Sequence, residues 1–179
     1  MIAAPLVLAL ALGAQSSSQT AETMHTPTRF AHVNSTFRFE VAAPLARVAP
    51  LFGPEGERCW AGKHWDPQLV YPQPARDVEG AVFTVRHGEH TSVWVTTIFD
   101  PRAGRMQYVS VIPEMLVSLI DVRLKEVGVT RTAVEVTYAR TALAIAANDD
   151  VQAMGAGDRD SGSDWQQSVE ACLAAQPVH

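Results

Sequence analysis

Five segments rich in β-branched residues follow one another between residues 81 and 140, and only short turns separate them. The turns carry residues suited to tight reversals, such as His87-Gly88 and Asp100-Pro101. Because no stretch of helical length intervenes, each segment must return beside the one before it. The sequence therefore predicts an antiparallel meander, with strands at 81–86, 91–99, 105–112, 115–125 and 129–140.

Two further strands and two short helices are predicted before this meander. Residues 35–41 alternate, with Phe37 and Phe39 on one side and Arg38 on the other, which is typical of a half-buried strand. Apolar residues spaced for short helices follow within 44–61, and residues 68–71 form a short strand closed by proline.

The apolar period becomes helical after Thr141. Asn148 is a candidate N-cap for a helix over 149–154, and Ser163 with Gln166 resembles a capping box. We expect one long C-terminal helix, broken or loosened in the glycine-rich stretch 155–162. Its apolar stripe consists of Trp165, Val169, Cys172, Leu173 and Gln176.

The first residues have a different composition from the rest of the chain. Residues 2–14 are almost entirely apolar and small, and a polar Ser- and Gln-rich stretch follows, which is the pattern of a secretory signal. The apolar stretch is not preceded by the Lys or Arg that usually begins a secretory signal. The alternative is therefore an N-terminal tail of a cytoplasmic protein. The prediction is export, periplasmic or secreted, with residues 1–28 as signal peptide and flexible lead-in and residues 29–176 as one domain.

Charge and length narrow the class of protein. The 179 residues, 47% of them apolar, suit a single domain with its own core. With 14 Lys and Arg against 19 Asp and Glu, the net charge of −5 argues against binding to nucleic acid or to anionic membrane surfaces. The apolar run at the start is too short to cross a bilayer comfortably, so no membrane span is expected in the mature chain.

The predicted order is a strand, two short helices, six strands and a closing helix. A set of local residues accompanies this order: Glu57, Trp60, Trp65, Pro67, Tyr71, Pro72, Gly80, Phe83, Trp94, Tyr108, Thr137, Tyr138, Thr141 and Leu143. Together they resemble the START and polyketide-cyclase (SRPBCC) superfamily over about residues 30–173. The spacing with His64 between two tryptophans and the glycine-rich last helix depart from that pattern.

The resemblance implies an α+β helix-grip fold, in which a curved antiparallel sheet of about seven strands wraps around the C-terminal helix over a hydrophobic cavity. A void of roughly 300–1,000 Å³ is expected. Members of the superfamily range from lipid carriers to cyclases, so no catalytic residue can be transferred. We predict binding or carriage of a lipid-, aromatic- or polyketide-like molecule; the alternative is a cyclase or dehydratase acting on a carbonyl compound in the same cavity.

The candidate cavity residues are aromatic side chains and polar tips on inward faces. The tryptophans either stack on a ligand at the mouth or plug the sheet, and the hydroxyl groups either orient a ligand or bond within the protein. Arg140 either holds an anionic ligand group or forms a salt bridge at the end of its strand. The set comprises Trp60, Trp65, Trp94, Tyr108, Ser110, Ser118, Ile120, Val136, Tyr138, Arg140 and Trp165.

Metal and cofactor motifs are weak in this sequence. His87, Glu89 and His90 lie at a predicted hairpin tip, where three ligands rarely converge. The acidic stretch at 158–164 lacks the closing Glu of a calcium loop, and no phosphate-binding or hydrolase motif is present. We expect neither a metal nor a cofactor.

Cys59 and Cys172 are the two cysteines of the chain. In the fold that the resemblance implies, the short helices brace the later part of the last helix, which would bring the two residues together. An exported protein could then form a disulfide between them. The alternative is two separate buried thiols, since Cys172 lies on the apolar stripe of the helix.

Overall fold

The structure, a computed structural model, describes residues 29–176. The predicted signal segment at 2–14 and the lead-in up to residue 28 lie outside the described residues. Among the helices that are described, none is both long and apolar enough to cross a membrane.

The predicted meander is confirmed as one seven-stranded antiparallel sheet. Along the sheet the strands lie in the order β1-β7-β6-β5-β4-β3-β2, so the first strand pairs with the last and each other strand pairs with its neighbour in sequence. The strands are β1 (His32–Val41), β2 (Gln68–Tyr71), β3 (Val82–His87), β4 (His90–Asp100), β5 (Arg105–Ile112), β6 (Leu116–Gly128) and β7 (Arg131–Ala142).

Alternation along the strands produces the buried face of the sheet. In β1, Phe37, Phe39 and Val41 are buried while the residues between them are exposed. The turn before β5 depends on Gly104, which has a φ of 65° and lies against the backbone carbonyl of Leu124. A side chain at this position would overlap that carbonyl, so the turn requires glycine there.

The segment between β1 and β2 contains the predicted short helices. An α-helix, α1 (Leu45–Val48), continues into a 3₁₀ helix at Ala49–Phe52, and a second 3₁₀ helix spans Gly56–Cys59. Asp77 accepts hydrogen bonds from the backbone N–H groups of Glu55 (2.8 Å) and Gly56 (3.1 Å), which holds the start of the second 3₁₀ helix in place.

The C-terminal region is helical, as predicted, but with different ends. α2 (Asn148–Asp160) runs through most of the glycine-rich stretch, and after a break at Ser161 the chain continues as α3 (Gly162–Ala175). The predicted caps are wrong. Asn148 is the first residue of α2, and its Oδ1 accepts a hydrogen bond from the backbone N–H of Ala31 (2.8 Å). Ser163 lies inside α3, so no capping box forms.

Two glycines let the C-terminal helices lie directly on β1. A Cβ atom at Gly155 would overlap the side chain of Val33, and one at Gly162 would lie 2.9 Å from the carbonyl oxygen of Arg38. Both helices pack against β1. The glycines that predicted a loosened helix therefore serve its close approach to the sheet.

The buried side chains form two clusters at different levels of the sheet. The main cluster joins the short helices and α3 to the sheet and includes Phe52, Val136 and Val169. A smaller cluster around Leu116 and Val151 lies under α2.

A disulfide joins Cys59 to Cys172, with their Cα atoms 5.7 Å apart. It ties the second 3₁₀ helix to α3 and closes a loop with a sequence separation of 113. Of the two alternatives that the sequence left open, the structure therefore contains the bonded pair.

We expect the double variant Cys59→Ala/Cys172→Ala to be less stable than the oxidised wild type by up to about 5 kcal/mol, because the open chain gains conformational entropy when unfolded. Guanidinium unfolding monitored by Trp fluorescence measures the difference. A reducing agent should destabilise the wild type similarly and leave the double variant unchanged. Equal unfolding midpoints for all samples would show that the bond does not restrain the chain.

Candidate functional site

A cavity of about 550 Å³ lies between the concave face of the sheet, the short helices and the C-terminal helices. Its volume falls inside the range of about 300–1,000 Å³ usual for small-molecule sites. Apolar groups make up most of its wall. The lining residues are Glu57, Trp60, Ala61, Trp65, His87, His90, Ser92, Trp94, Tyr108, Ser110, Ile112, Met115, Leu116, Ser118, Ile120, Val122, Tyr138, Arg140, Met154 and Trp165.

Ten of the eleven residues predicted from the sequence lie on this wall, and Val136 does not. Val136 is fully buried in the main core together with Phe37, its partner on β1, and Val169 of α3. At that level of the sheet the space under the helix is filled, so the cavity begins further along β7, at Tyr138.

All four tryptophans of the chain border the cavity. The rings of Trp60 and Trp165 lie 4.8 Å apart between centroids, and those of Trp65 and Trp94 lie 5.4 Å apart and nearly perpendicular. Three of the four indole N–H groups donate within the protein, to the carbonyl oxygens of Leu51 and Pro54 and to the hydroxyl of Ser92. These three therefore present ring surface, not a donor, to the cavity.

Three of the predicted polar groups, those of Tyr108, Ser118 and Arg140, are already hydrogen-bonded within the protein. The Tyr108 hydroxyl donates to the carbonyl oxygen of Phe52. Arg140 donates to both carboxylate oxygens of Asp158, at 2.8 Å each, and to Ser118 at 3.0 Å. The salt-bridge alternative for Arg140 is thus the one observed, and its guanidinium also lies 4.2 Å from the centre of the Tyr138 ring.

Other polar groups on the wall remain available. The hydroxyl groups of Ser110 and Tyr138 make no hydrogen bond with any residue that the structure describes. Burial raises the pKa of Tyr138. Both side chains can therefore donate to a neutral acceptor in the cavity.

Glu57 is the wall residue with the most unusual chemistry, and sequence reasoning did not single it out as a site. It lies in the second 3₁₀ helix, one turn before Trp60, whose N–H bonds to its carbonyl oxygen at 3.0 Å. The residue is half-buried and lines the cavity. Burial, and secondarily the charge of Asp77, raises the pKa of Glu57 to about 8. The signal available in the sequence was the spacing of three residues between Glu57 and Trp60, because residues three apart lie on the same face of a 3₁₀ helix.

The hairpin between β3 and β4 borders the cavity as well. His87 and His90, which the sequence placed at a turn, both line the wall, whereas Glu89 does not. Burial lowers the pKa of His87, and the nearby His64 acts in the same direction. Within residues 29–176 no group of three or more His, Cys, Asp or Glu side chains is arranged to hold a metal ion.

Solved structures share this architecture at low sequence identity. Norcoclaurine synthase from Thalictrum flavum matches 95% of the chain and 100% of its own length, with a TM-score of 0.59 and 7% identity. A protein from Rhizobium leguminosarum matches 83% of the chain and 100% of its own length (TM-score 0.55, 19% identity). A protein from Thermobifida fusca covers 82% of the chain and 98% of its own length (TM-score 0.58, 19% identity).

No protein-family model matches the sequence, and no curated protein matches it. The structural matches nevertheless confirm the fold that the sequence resemblance implied: the chain has the helix-grip architecture, with a seven-stranded antiparallel sheet and C-terminal helices.

The raised pKa of Glu57 predicts how stability depends on pH. Between the ordinary pKa of 4.5 and about 8, the folded state retains a proton that the unfolded chain has lost. The wild type should therefore lose up to about 1.4 kcal/mol of stability per pH unit across that window. In Glu57→Gln this contribution is absent, so the stability of the variant relative to the wild type should rise up to pH 8 and then level off. Chemical unfolding of both proteins at pH 5, 7 and 9 measures the difference between their free energies of unfolding.

Glu55→Gln is the matched control, because Glu55 pairs with Arg58 and does not line the cavity. This variant retains Glu57 and should keep that group's contribution to the pH dependence. A difference between Glu57→Gln and the wild type that stays constant with pH would show that Glu57 titrates alike in the folded and unfolded chains.

Proposed function

We propose that this protein binds or carries a hydrophobic small molecule in the cavity under its C-terminal helices. The observation that carries the proposal is an apolar space of about 550 Å³ bordered by every tryptophan of the chain. Aromatic walls with a few polar groups are typical of sites for drug-sized ligands. A lipid-, aromatic- or polyketide-like molecule fits that description.

A structural neighbour supports the choice of ligand class. Norcoclaurine synthase has also been solved in complex with dopamine and hydroxybenzaldehyde, and that structure matches 98% of the chain with a TM-score of 0.59. At 7% identity the likeness concerns the fold alone. It shows that a protein of this architecture accommodates small aromatic molecules.

The hydrogen bonds that cavity residues make within the protein favour a ligand-binding protein over the alternative, a polyketide cyclase or dehydratase. Such an enzyme would use Tyr and Arg groups to polarise a carbonyl. Here Tyr108 already donates to Phe52, and Arg140 is neutralised by Asp158. Of the tyrosines on the wall, Tyr138 keeps an uncommitted hydroxyl, so turnover that is abolished in Tyr138→Phe would favour the enzyme.

Titration with prodan, a neutral naphthalene dye, tests the binding proposal. Ser110→Phe should weaken binding by about tenfold or more, because the ring occupies the cavity and breaks no hydrogen bond among the described residues. Val109→Phe places the same ring on the opposite face of β5 and should bind like the wild type. If folded Ser110→Phe binds prodan as well as the wild type does, the ligand does not enter this cavity.

We further propose that the protein acts outside the cytoplasm. The Cys59–Cys172 disulfide suits an oxidising compartment, and the apolar pattern of residues 2–14 suits a secretory signal. Expressed in a native-like host, the mature protein should begin near Ala14 or a few residues later. N-terminal sequencing measures this, and an intact Met1 on protein from the soluble cytoplasm would contradict it.

A further inference from the structure

The charges in the cavity wall do not balance. Arg140 is paired with Asp158, so that end of the cavity is neutral. Glu57 forms no salt bridge with a described residue, and the adjacent Arg58 turns away to Glu55 (3.1 Å) and Asp66 (2.7 Å). When it is ionised, Glu57 therefore adds a negative charge to the wall that no cation in the described chain neutralises.

Aromatic rings border the cavity on the same side as this carboxyl group. Trp60 follows Glu57 by one turn and contacts Trp165, with 4.8 Å between ring centroids. Tyr108 and Tyr138 line the same cavity as Glu57, so two further rings belong to its wall.

A carboxylate beside tryptophan and tyrosine rings is a site suited to an organic cation. Ring faces attract ammonium groups, most strongly where water is excluded, and a carboxylate forms a charge-assisted hydrogen bond with an ammonium group. A purely apolar ligand would leave the carboxyl of Glu57 enclosed without a partner, which is unfavourable.

We propose that the cavity selects an apolar, ring-containing amine, whose ammonium group binds to the Glu57 carboxylate while its rings lie against the tryptophans. This inference rests on the proposed function, since it assumes that a small molecule enters the cavity. It adds the chemical class of that molecule.

Binding of an amine at Glu57 should release a proton, which can be measured. In the empty protein Glu57 keeps its proton up to a pH of about 8, whereas an alkyl ammonium group keeps its own proton to about pH 10. Binding the ammonium ion to the carboxylate must then expel one proton from Glu57. The affinity for the amine should therefore rise by nearly tenfold per pH unit up to about pH 8 and then level off. The charge of Asp77 acts on Glu57, and the other titratable or charged groups on the cavity wall are His87, His90, Tyr108, Tyr138 and Arg140.

The test compares 2-(1-naphthyl)ethylamine with its neutral isostere 2-(1-naphthyl)ethanol. Calorimetry at pH 7 in phosphate and in Tris, which differ in ionisation enthalpy, counts the protons exchanged. We expect release of about one proton per amine bound and none for the alcohol. At pH 8.5 the wild type should favour the amine over the alcohol by about tenfold or more.

Variants assign the effect to one residue. Glu57→Gln should lose both the preference for the amine and the proton release, while still binding the alcohol. Glu55→Gln, the same change two residues away and outside the cavity, should retain both. A slope of affinity with pH that is unchanged in Glu57→Gln would overturn the assignment to Glu57.

The outcomes separate this inference from the proposed function. If the wild type binds the amine and the alcohol equally, without proton release, the amine inference is overturned and the cavity still binds hydrophobic molecules. If neither compound binds, and prodan does not bind either, the proposed function fails and this inference with it. The proton count is made on the wild type, so it decides the question even if Glu57→Gln does not fold.

Discussion

The ion pair between Arg140 and Asp158 joins four elements at one point of the structure. Arg140 extends from β7 and Asp158 from α2, while Ser118 on β6 and Ser35 on β1 complete the hydrogen bonds. The two charged side chains are only 15% and 12% exposed. Because the charges are matched and hydrogen-bonded, their burial is tolerated, whereas losing one partner of such a pair typically costs about 3–5 kcal/mol. This contact fixes where the C-terminal helices lie over the sheet.

Two other restraints act on the same helices. Gly155 and Gly162 let the helices lie against β1, and the disulfide ties α3 to the short helices after β1. The ion pair joins α2 to the sheet and the disulfide joins α3 to the second 3₁₀ helix, and the cavity lies between the elements that these links connect.

The anchoring also determines which polar groups the cavity offers. Arg140 is occupied by the helix that it holds, and Tyr108 by the carbonyl of Phe52. What remains is aromatic surface, the hydroxyl groups of Ser110 and Tyr138, the imidazoles of His87 and His90, and the carboxyl of Glu57, whose pKa is raised by burial and by the charge of Asp77. The same packing that stabilises the fold thus leaves an apolar site with an acid that has no partner among residues 29–176.

Local patterns in the sequence determined the sheet, because a strand needs only alternation and a turn needs only the right residues. The limits of β2 and β5 were predicted to the residue, and the inward parity of Tyr108, Ser118 and Tyr138 follows from the same alternation. Helix ends were less predictable, because Asn148 binds a distant backbone group instead of capping its helix. Only the tertiary structure decided that Arg140 meets Asp158, that Val136 falls in filled core, that the cysteines bond and that Glu57 faces the cavity. Each of these depends on residues far apart in the chain, whose approach no local pattern records.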